Sequence, residues 1–449
     1  SHLHLNVEGT GYAGLGVDSI TRGTHGTLTL YSVSSASGSN TLVNLAIGAN
    51  TAAGGVNDSA NFFVTNALNA PVMTNNMVAP WIVSRTEDQF LKYNATNGFQ
   101  IITQGSAPAN YRNPIAATTT LDGTVATLND GTEILDLGLA SGTQTLGANL
   151  DVHALRVGRN INQSSNGNFT QIRIRSGGLI FLANSPIINA NLSFGPTGAS
   201  EALIFARQST GQINGKIQAS QVTKFGSAFL NINSDQNLFN GNWVINEGGI
   251  QFLTPGAVGS ATSEVILNGS TMSDDADRRD GGASYFSTEL RYNFNSGSPD
   301  EFVWNHGKVT AYDHNFIYGI LASDRNQVMP DIDLRTTATT AGGLQNGLIR
   351  FQVDGARSTL RTGTVTLFDH YMVNVNAGSY NPGSTAGVKF GALNNGGLFD
   401  LIKTGDGVLT LIDNTATFTG NRFTYVDEGA VRLLSNGSFG AAGNTAVIS

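Results

Sequence analysis

Short runs in which apolar and polar residues alternate recur along the whole chain. In segment 171–175, of sequence QIRIR, the isoleucines occupy alternate positions and the arginines the positions beside them. Segment 347–353, of sequence GLIRFQV, places Ile349, Phe351 and Val353 on one face in the same way. Successive side chains of a strand point to opposite faces of a sheet, so this period of two predicts β-strands with one buried face.

Tight turns are predicted at short intervals between these runs. Asp-Gly and Asn-Gly pairs, which adopt positive φ at little cost, often close a strand after about five to eight residues. Such pairs begin at Asp122, Asp130, Asn268, Asp354, Asp406 and Asn436. No stretch of about twelve residues shows the period of 3.6 that is typical of a helix. The chain is therefore predicted to be all-β.

Two segments of the chain repeat one another. Segment 222–232, of sequence VTKFGSAFLNI, aligns with segment 401–411, of sequence LIKTGDGVLTL. The alignment superposes Lys224 on Lys403, a shift of 403 − 224 = 179 residues. It continues with two inserted residues, so that the copies agree in order over about 38 residues. A unit of this size cannot bury its own apolar face, and it is stabilised by stacking on copies of itself.

The second copy resembles the autotransporter-associated β-strand repeat, also called the passenger-associated transport repeat. The resemblance is carried by KTGDGVLTL at 403–411 and by FTG at 418–420. The first copy is more degenerate, with Phe225 and Ala228 in place of the threonine and the second glycine. Segment 77–99 is similar to a segment that precedes such repeats in very long surface proteins of several bacterial phyla.

The resemblance implies a right-handed parallel β-helix that is exported and displayed on the bacterial cell surface. In the family, the repeat supports export and builds the passenger stalk, and it carries no catalytic motif. We therefore predict a single elongated β-solenoid over residues 1–449 with projecting loops, and repeat copies near 217–268 and 396–449. Its rungs are expected to stack about 4.8 Å apart at roughly 20 to 25 residues each, around ladders of Val, Ile and Leu.

Composition narrows the range of partners. Charged residues make up 12% of the chain, about half the usual share, and Gly, Asn, Ser and Thr replace them. The net charge of −8 disfavours nucleic acid, because phosphate binding needs a concentrated basic face. The sequence has no cysteine, so neither disulfides nor thiolate metal sites are expected. No apolar run approaches the roughly 18 residues of a membrane helix, so no membrane span is expected.

Both ends of the sequence look cut. The chain begins at Ser1 without a methionine or a signal peptide, and residues 446–449 read as the middle of a strand. We therefore expect a mature or excised piece of a longer protein.

A carbohydrate-active enzyme is the main alternative, since several β-helix proteins cleave polysaccharides with Asp and Arg side chains on one sheet. The best candidate is the segment of sequence DIDLR at 331–335. On a strand, Asp331, Asp333 and Arg335 share one outward face, with about 6 to 7 Å between successive members. The same spacing describes any solvated strand face, and we expect no catalytic residue here.

The acidic segment from Asp274 to Asp280 is a candidate calcium site. It contains four acids in seven positions, and Ca²⁺ prefers several oxygen ligands. It lacks the regular spacing of a calcium loop, and Arg278 and Arg279 partly neutralise it. A projecting polar loop is the favoured interpretation, with no metal ligand assigned.

Aromatic and histidine side chains give weaker signals. Six aromatic residues would stack on sugars if exposed, although core packing is the favoured interpretation. They are Trp81, Trp243, Trp304, Tyr285, Tyr292 and Tyr312. His2, His4, His314 and His370 belong to no metal or catalytic motif and are expected in turns or at the surface. The glycine-rich string 11–16 lacks the strand-then-helix context of a nucleotide site, so no cofactor is expected.

The sequence thus predicts a secreted, non-catalytic structural or adhesive protein of the cell surface, such as a passenger-like stalk or fibre subunit. The ends of a solenoid carry unpaired backbone groups, so end-to-end self-association into a fibre or layer is expected. A polysaccharide lyase or hydrolase and a glycan-binding module remain alternatives. Their partners would be glycans or other components of the cell surface.

Overall fold

In a computed structural model, the chain divides into two compact units, Ser1–Ala228 (unit 1) and Phe229–Ser449 (unit 2). The structure describes residues 2–8, 12–35, 42–44, 59–85, 87–95, 98–102, 111–112, 120–121, 130–138, 142–165, 167, 170–236, 239–269, 288–293, 301–320, 326–337, 347–353, 358–377, 387–396, 398–412, 423–434 and 445–448. Two short 3-10 helices, Ala67–Asn69 and Pro255–Val258, accompany the strands. Within these ranges, no helix has the length and apolar character needed to cross a membrane.

The first ten strands contain both parallel and antiparallel pairs. They are β1 His2–Glu8, β2 Tyr12–Val17, β3 Leu28–Ser35, β4 Leu42–Asn44, β5 Ser59–Val64, β6 Met73–Thr74, β7 Met77–Val78, β8 Ile82–Ser84, β9 Gln89–Asn94 and β10 Gly98–Ile101. Strands β1, β3 and β8 pair in parallel, whereas β8, β9 and β10 pair in the antiparallel sense. We refer to the described residues of 2–102 as the N-terminal layer.

The remaining strands of unit 1 form a parallel β-helix. They are β11 Tyr111–Arg112, β12 Thr120–Leu121, β13 Ile134–Leu137, β14 Thr143–Leu146, β15 Leu150–Val152, β16 Ala154–Val157, β17 Asn160–Asn162, β18 Gln171–Ile174, β19 Gly178–Phe181, β20 Ile187–Ile188, β21 Asn191–Phe194, β22 Glu201–Ala206, β23 Gly211–Ile213, β24 Ile217–Gln218 and β25 Gln221–Phe225. From β13 onward the chain visits three sheets in turn, so each rung has three strands.

The three sheets of this β-helix are named S1, S2 and S3. S1 contains β11, β13, β16, β19, β22 and β25; S2 contains β12, β14, β17, β20 and β23; S3 contains β15, β18, β21 and β24. In S1 the buried side chains of Leu135, Leu155, Leu179 and Ile204 are stacked in register. Their spacings are 20, 24 and 25 residues (155 − 135, 179 − 155 and 204 − 179), as predicted for one rung.

The N-terminal layer packs on the outer face of S1. The apolar cluster between them contains Met77, Val83, Phe90 and Ile102 from the layer and Ile134, Ala154, Ile180, Leu182, Leu203, Phe205 and Phe225 from the β-helix. Gly178 marks a close approach, since a Cβ there would lie 2.6 Å from Pro80 Cβ and 2.9 Å from Phe90 Cε1. Both faces of S1 are therefore covered.

Ion pairs reinforce this contact. Asp88 is fully buried, and its carboxylate accepts hydrogen bonds from Gln208 and from Arg207 Nε, the latter at 2.6 Å. Arg22 donates two hydrogen bonds to the carboxylate of Glu201, at 2.6 and 2.8 Å. The layer is thus fixed to S1 by apolar packing and by paired charges.

The strands of unit 2 are all parallel to their neighbours in the described residues. They are β26 Phe229–Ile232, β27 Asn242–Ile245, β28 Gly248–Phe252, β29 Val265–Asn268, β30 Thr288–Asn293, β31 Glu301–Val303, β32 Val309–Tyr312, β33 His314–Ile320, β34 Asn326–Val328, β35 Ile332–Arg335, β36 Gly347–Val353, β37 Thr359–Leu367, β38 Tyr371–Ala377, β39 Gly387–Asn394, β40 Leu401–Thr404, β41 Val408–Leu411, β42 Phe423–Val426, β43 Ala430–Leu433 and β44 Thr445–Ile448.

Each rung of unit 2 has two principal strands, which belong to two sheets named T1 and T2. T1 contains β27, β29, β32, β35, β37, β39, β41 and β43; T2 contains β26, β28, β30, β33, β36, β38, β40, β42 and β44. Strands β31 and β34 form a side branch that joins T1 at β37. The rungs of unit 2 therefore differ in cross-section from the three-stranded rungs of unit 1.

Columns of stacked apolar side chains also fill the interior of unit 2. Leu290, Ile317, Phe351 and Val375 of T2 are stacked in register and fully buried. Their spacings of 27, 34 and 24 residues (317 − 290, 351 − 317 and 375 − 351) exceed the predicted rung length in two of three cases. The register between neighbouring strands is kept although the segments that connect the rungs differ in length. The predicted fold class, all-β with a parallel β-helix, is confirmed in each unit.

Candidate functional site

The lysine shared by the two repeat copies is buried in both. Lys224 pairs in register with Ile204 in an interior column of S1, and Lys403 lies between Val373 and Val426 in an interior column of T2. Neither lysine side chain is exposed. Each copy therefore places a cation among aliphatic residues, although a buried charge is costly unless it is paired or hydrogen-bonded.

Backbone carbonyl groups surround the ammonium group of Lys403. Its Nζ donates hydrogen bonds to the carbonyl oxygens of Thr404 and Gly405, both at 2.7 Å, and to that of Glu428 in the next rung at 3.0 Å. Burial lowers the pKa of Lys403 from 10.5 to about 8, while the carboxylates of Glu428 and Asp406 act in the opposite direction. Three donors meet three acceptors, so the ammonium group joins two successive rungs.

Lys224 is held in the same manner. Its Nζ donates to the carbonyl oxygen of Gly226 and lies 3.5 Å from that of Ala206 in the preceding rung. Gly226 and Gly405 have φ values of +85° and +77°, a conformation that glycine adopts without strain. The Lys-x-Gly spacing of the repeat thus places a donor beside the carbonyl groups of the turn that follows it.

The segment considered for catalysis is used to join rungs. Asp331 precedes strand β35, and its Oδ1 accepts a hydrogen bond from the N–H of Thr364 at 2.6 Å. Asp333 lies on β35, with Oδ2 at 2.8 Å from Lys308 Nζ and 3.3 Å from Arg335 Nη2. The structure therefore places Asp331 off the strand on which the sequence predicts it, and it places Asp333 between two cations.

Arginine side chains on the outer faces of unit 2 stack on aromatic rings. Arg335 lies over the ring of Phe368, with 3.6 Å from its guanidinium carbon to the ring centroid. On T2, Arg291 lies 3.9 Å from the centroid of the Phe229 ring and also pairs with the carboxylate of Glu289. Contacts of this kind stabilise neighbouring strands by roughly 0.5–1 kcal/mol each at exposed sites.

Half of the six aromatic residues considered for sugar stacking lie in the core. Trp243, Trp304 and Tyr292 are fully buried, so the prediction of core packing is correct for these three. Trp81 is partly buried against two apolar clusters, and Tyr312 is partly exposed on T1. Tyr285 lies outside the described residues.

Two buried histidines were not identified from the sequence. His306 accepts or donates a hydrogen bond at 2.9 Å to the hydroxyl of Tyr292 inside unit 2, and burial lowers its pKa to about 4. His153 lies beneath the N-terminal layer, with Nδ1 at 3.1 Å from Asn75 Nδ2, and burial lowers its pKa to about 4 as well. No motif surrounds either residue. The only sequence signal for their burial is that each lies between apolar runs.

The histidines considered earlier take structural positions. His314 is buried at the start of β33, so the expected turn or surface position is wrong for this residue. His370 precedes β38, with Nδ1 at 3.1 Å from the nearer carboxylate oxygen of Asp400. His2 and His4 lie in β1.

The acidic segment from Asp274 to Asp280 lies outside the described residues. Among the residues that are described, no group of three or more His, Asp or Glu side chains is arranged to hold a metal ion.

Asp88 is the most important contact residue that sequence reasoning missed. Its partner Arg207 is 119 residues away, so no local pattern links them. The signal that was available is the apolar character of strands β19 and β22 on both faces, which indicates that another layer covers S1.

No protein-family model matches the chain, and no curated protein or solved structure matches it either.

Proposed function

We propose that this chain is a non-catalytic structural or adhesive element of a bacterial cell surface, exported and built from stacked β-helical rungs. The observation that supports this most directly is that several of its ionisable side chains join one rung to the next. Lys403 binds carbonyl groups of two rungs, and Asp333 binds Lys308, which directly precedes the neighbouring strand β32. Groups held in this way stabilise a stack and have little freedom to move protons.

The resemblance of the repeat to the autotransporter-associated β-strand repeat supports the same proposal. The residues behind it, Lys403, Gly405 and Leu409, have a clear physical role as clamp, turn and interior residue. A repeat whose residues serve stacking suits a stalk or fibre, in which length is the useful property.

An assay for polysaccharide cleavage tests the non-catalytic part of the proposal. The purified chain is incubated with acidic polysaccharides, and new reducing ends and unsaturated products are measured. We expect no turnover above buffer. Cleavage that is present in the natural sequence and lost in Asp333→Asn, with unchanged thermal unfolding, would establish a carbohydrate-active enzyme instead.

Antibody labelling tests the location. Antibodies against the purified chain should label intact, unpermeabilised cells of the source bacterium, and a protease added outside the cells should remove the label. Labelling only after permeabilisation would contradict the proposed display on the surface.

Self-association along the stack is a further part of the proposal. Leu433 of β43 pairs in register with Leu411, yet it is 41% exposed whereas Leu411 is 3% exposed. The next rung on β43, such as one from a second copy of the chain, would bury Leu433 and its neighbour Leu434. Sedimentation velocity over a range of concentrations should show assembly that weakens in Leu433→Ser/Leu434→Ser. A monomer at every concentration would remove this part of the proposal.

A further inference from the structure

Three cationic residues of T1 lie in one column across successive rungs. Arg361 of β37 pairs in register with Lys389 of β39, Lys389 with Thr410 of β41, and Thr410 with Arg432 of β43. Neighbouring strands lie about 4.8 Å apart, so the column extends over about 14 Å.

The column faces outward. Val388 and Phe390, on either side of Lys389, are fully buried, and side chains alternate between the two faces of a strand. Lys389 is partly exposed, and Arg361 and Arg432 are exposed. All three charges are therefore accessible from the same side of the sheet.

These cations differ from the other lysines and arginines that the structure describes. Across the described ranges, Arg361, Lys389 and Arg432 have no side-chain hydrogen bond, ion pair or ring contact with another described residue. Elsewhere, described cations lie against carboxylates or other partners, as in the pairs Arg156–Asp136, Arg175–Asp151, Arg207–Asp88 and Lys308–Asp333. The column is thus an exception within a chain of net charge −8.

The arrangement has a cost for folding. Like charges directly opposite each other on neighbouring strands are destabilising, and Arg361 and Lys389 are such a pair. The carboxylate of Asp331 lies near Gly363, two positions along β37, where its Oδ1 accepts the N–H of Thr364. Gly363 and its counterpart Gly391 on β39 carry no side chain, and Asp331 Oδ1 occupies the space beside Gly363.

We propose that the column of Arg361, Lys389 and Arg432 binds an anionic polysaccharide along the direction of the stack. A line of separate charges suits an extended polymer with repeated carboxylate or sulfate groups better than a single small anion. Nucleic acid binds to concentrated basic surfaces, whereas these three cations stand in a single line. The choice of a polysaccharide rests on the proposed function at the cell surface, whereas the anion site itself rests on the geometry.

Fluorescence anisotropy with labelled polygalacturonate tests the site. The unmodified chain should bind at about 20 mM salt and more weakly at about 150 mM, because salt screens exposed charges. The variant Arg361→Gln/Lys389→Gln/Arg432→Gln should lose at least about tenfold in affinity, since three charges are removed from the contact. Its thermal midpoint should stay equal or rise, because the repulsion between strands disappears.

A matched control separates the column from the total charge. The variant Arg173→Gln/Arg175→Gln/Lys308→Gln removes the same charge from side chains that are 39%, 40% and 39% exposed but lie beside carboxylates. It should bind as the unmodified chain does.

Several results would overturn the inference. Equal loss in both triple variants would show an effect of total charge, and equal binding of neutral dextran would exclude recognition of anions. Tighter binding of single-stranded DNA or of polyglutamate would replace the polysaccharide with another polymer. None of these results bears on the labelling of intact cells, so failure of this site and failure of the proposed function are distinguishable.

Discussion

The outer faces of S1 in unit 1 and T1 in unit 2 have opposite character. S1 carries Ile180, Phe205 and Phe225 in one outward column, and the N-terminal layer covers them. T1 carries Tyr312 and Arg335, which are both partly exposed, in the corresponding kind of column. The same backbone ladder can therefore serve as an internal layer or as a surface, and the outward side chains decide which.

The difference is visible in the sequences of the strands. Segment 178–182 reads GLIFL and segment 202–206 reads ALIFA, with no polar residue in either. Segments 309–312 and 332–335 of T1 read VTAY and IDLR, in which polar residues alternate with apolar ones. Strands buried on both faces lose the alternation, so continuous apolar runs within a β-helix indicate a covered sheet.

Truncation of a ring on each face should give the largest contrast. Phe90→Ala removes a buried ring from the contact with S1 and should cost about 3–5 kcal/mol in the free energy of unfolding. Phe368→Ala on T1, where the ring is 43% exposed, should cost about 1 kcal/mol through the lost contact with Arg335. Urea unfolding of both variants measures the difference, and equal costs would contradict the assignment of a covered and an open face.

Removal of a carboxylate on each face should give the next largest contrast. Asp88→Ala leaves Arg207 and Gln208 without their buried acceptor and should cost about 3 kcal/mol. Asp333→Ala removes an acceptor from partly exposed cations and should cost about 1 kcal/mol or less. A double-mutant cycle with Arg207→Ala should show strong coupling to Asp88. If the costs of Asp88→Ala and Arg207→Ala are additive, the ion pair between these residues does not fix the N-terminal layer to S1.

Acid should weaken both units, each through one histidine. The pKa values of His153 and His306 are about 4 in the folded chain, below the ordinary 6.5, so the unfolded chain binds more protons between these values. Stability should be complete above pH 6.5 and should fall by about 3 kcal/mol per histidine on acidification to pH 4. Chemical unfolding at a series of pH values tests this.

Single replacements assign the acid effect to its unit. His306→Gln should reduce the acid-induced loss of stability in unit 2 and leave the loss in unit 1 unchanged. His153→Gln should have the opposite effect. Hydrogen exchange in β16 of unit 1 and in β32 of unit 2 measures the two stabilities. An unchanged pH dependence in both variants would show that other groups carry it.

Replacement of the repeat lysines should have a smaller effect on stability than removal of Asp88 or acidification. Lys403→Met leaves three carbonyl groups without their donor, and relief of the buried charge offsets part of that loss, for a net cost of about 2 kcal/mol. Lys224→Met should cost about the same. If either variant is as stable as the unmodified chain, the hydrogen bonds from the lysine to the carbonyl groups do not stabilise the stack.

The pH dependence of the same variants sharpens the test. The folded pKa of Lys403, about 8, lies below the ordinary 10.5, so the unfolded chain holds the extra proton between these values. The unmodified chain should therefore gain stability relative to Lys403→Met as the pH rises from 8 to 10.5.

Alternation, turn pairs and the repeat were sufficient to predict the fold class. They did not predict the contact of the N-terminal layer, because it depends on pairs such as Arg22 and Glu201, which are 179 residues apart. They also did not predict the column of Arg361, Lys389 and Arg432. Connections of unequal length separate these three residues, so their alignment follows only from the register.

The lysines show a signal that was present in the sequence and was not used. Lys224 has the same parity as Val222, and Lys403 has the same parity as Leu401, and both of these apolar residues are inward-facing and fully buried. A charged residue at an inward position conflicts with simple alternation. Such a conflict indicates that hydrogen-bond acceptors lie in the interior. In this chain the acceptors are backbone carbonyl groups at the glycine turns.

A buried ammonium group also has a consequence for how the stack assembles. Aliphatic columns tolerate displacement, because one leucine resembles the next, and a rung that docks one step out of place would still bury apolar surface. Lys403 finds its three oxygen atoms only when its own turn and the rung after it are correctly aligned. In a misaligned stack the same ammonium group would be a buried charge without hydrogen-bond acceptors. The buried lysine therefore disfavours an incorrect register between rungs during assembly.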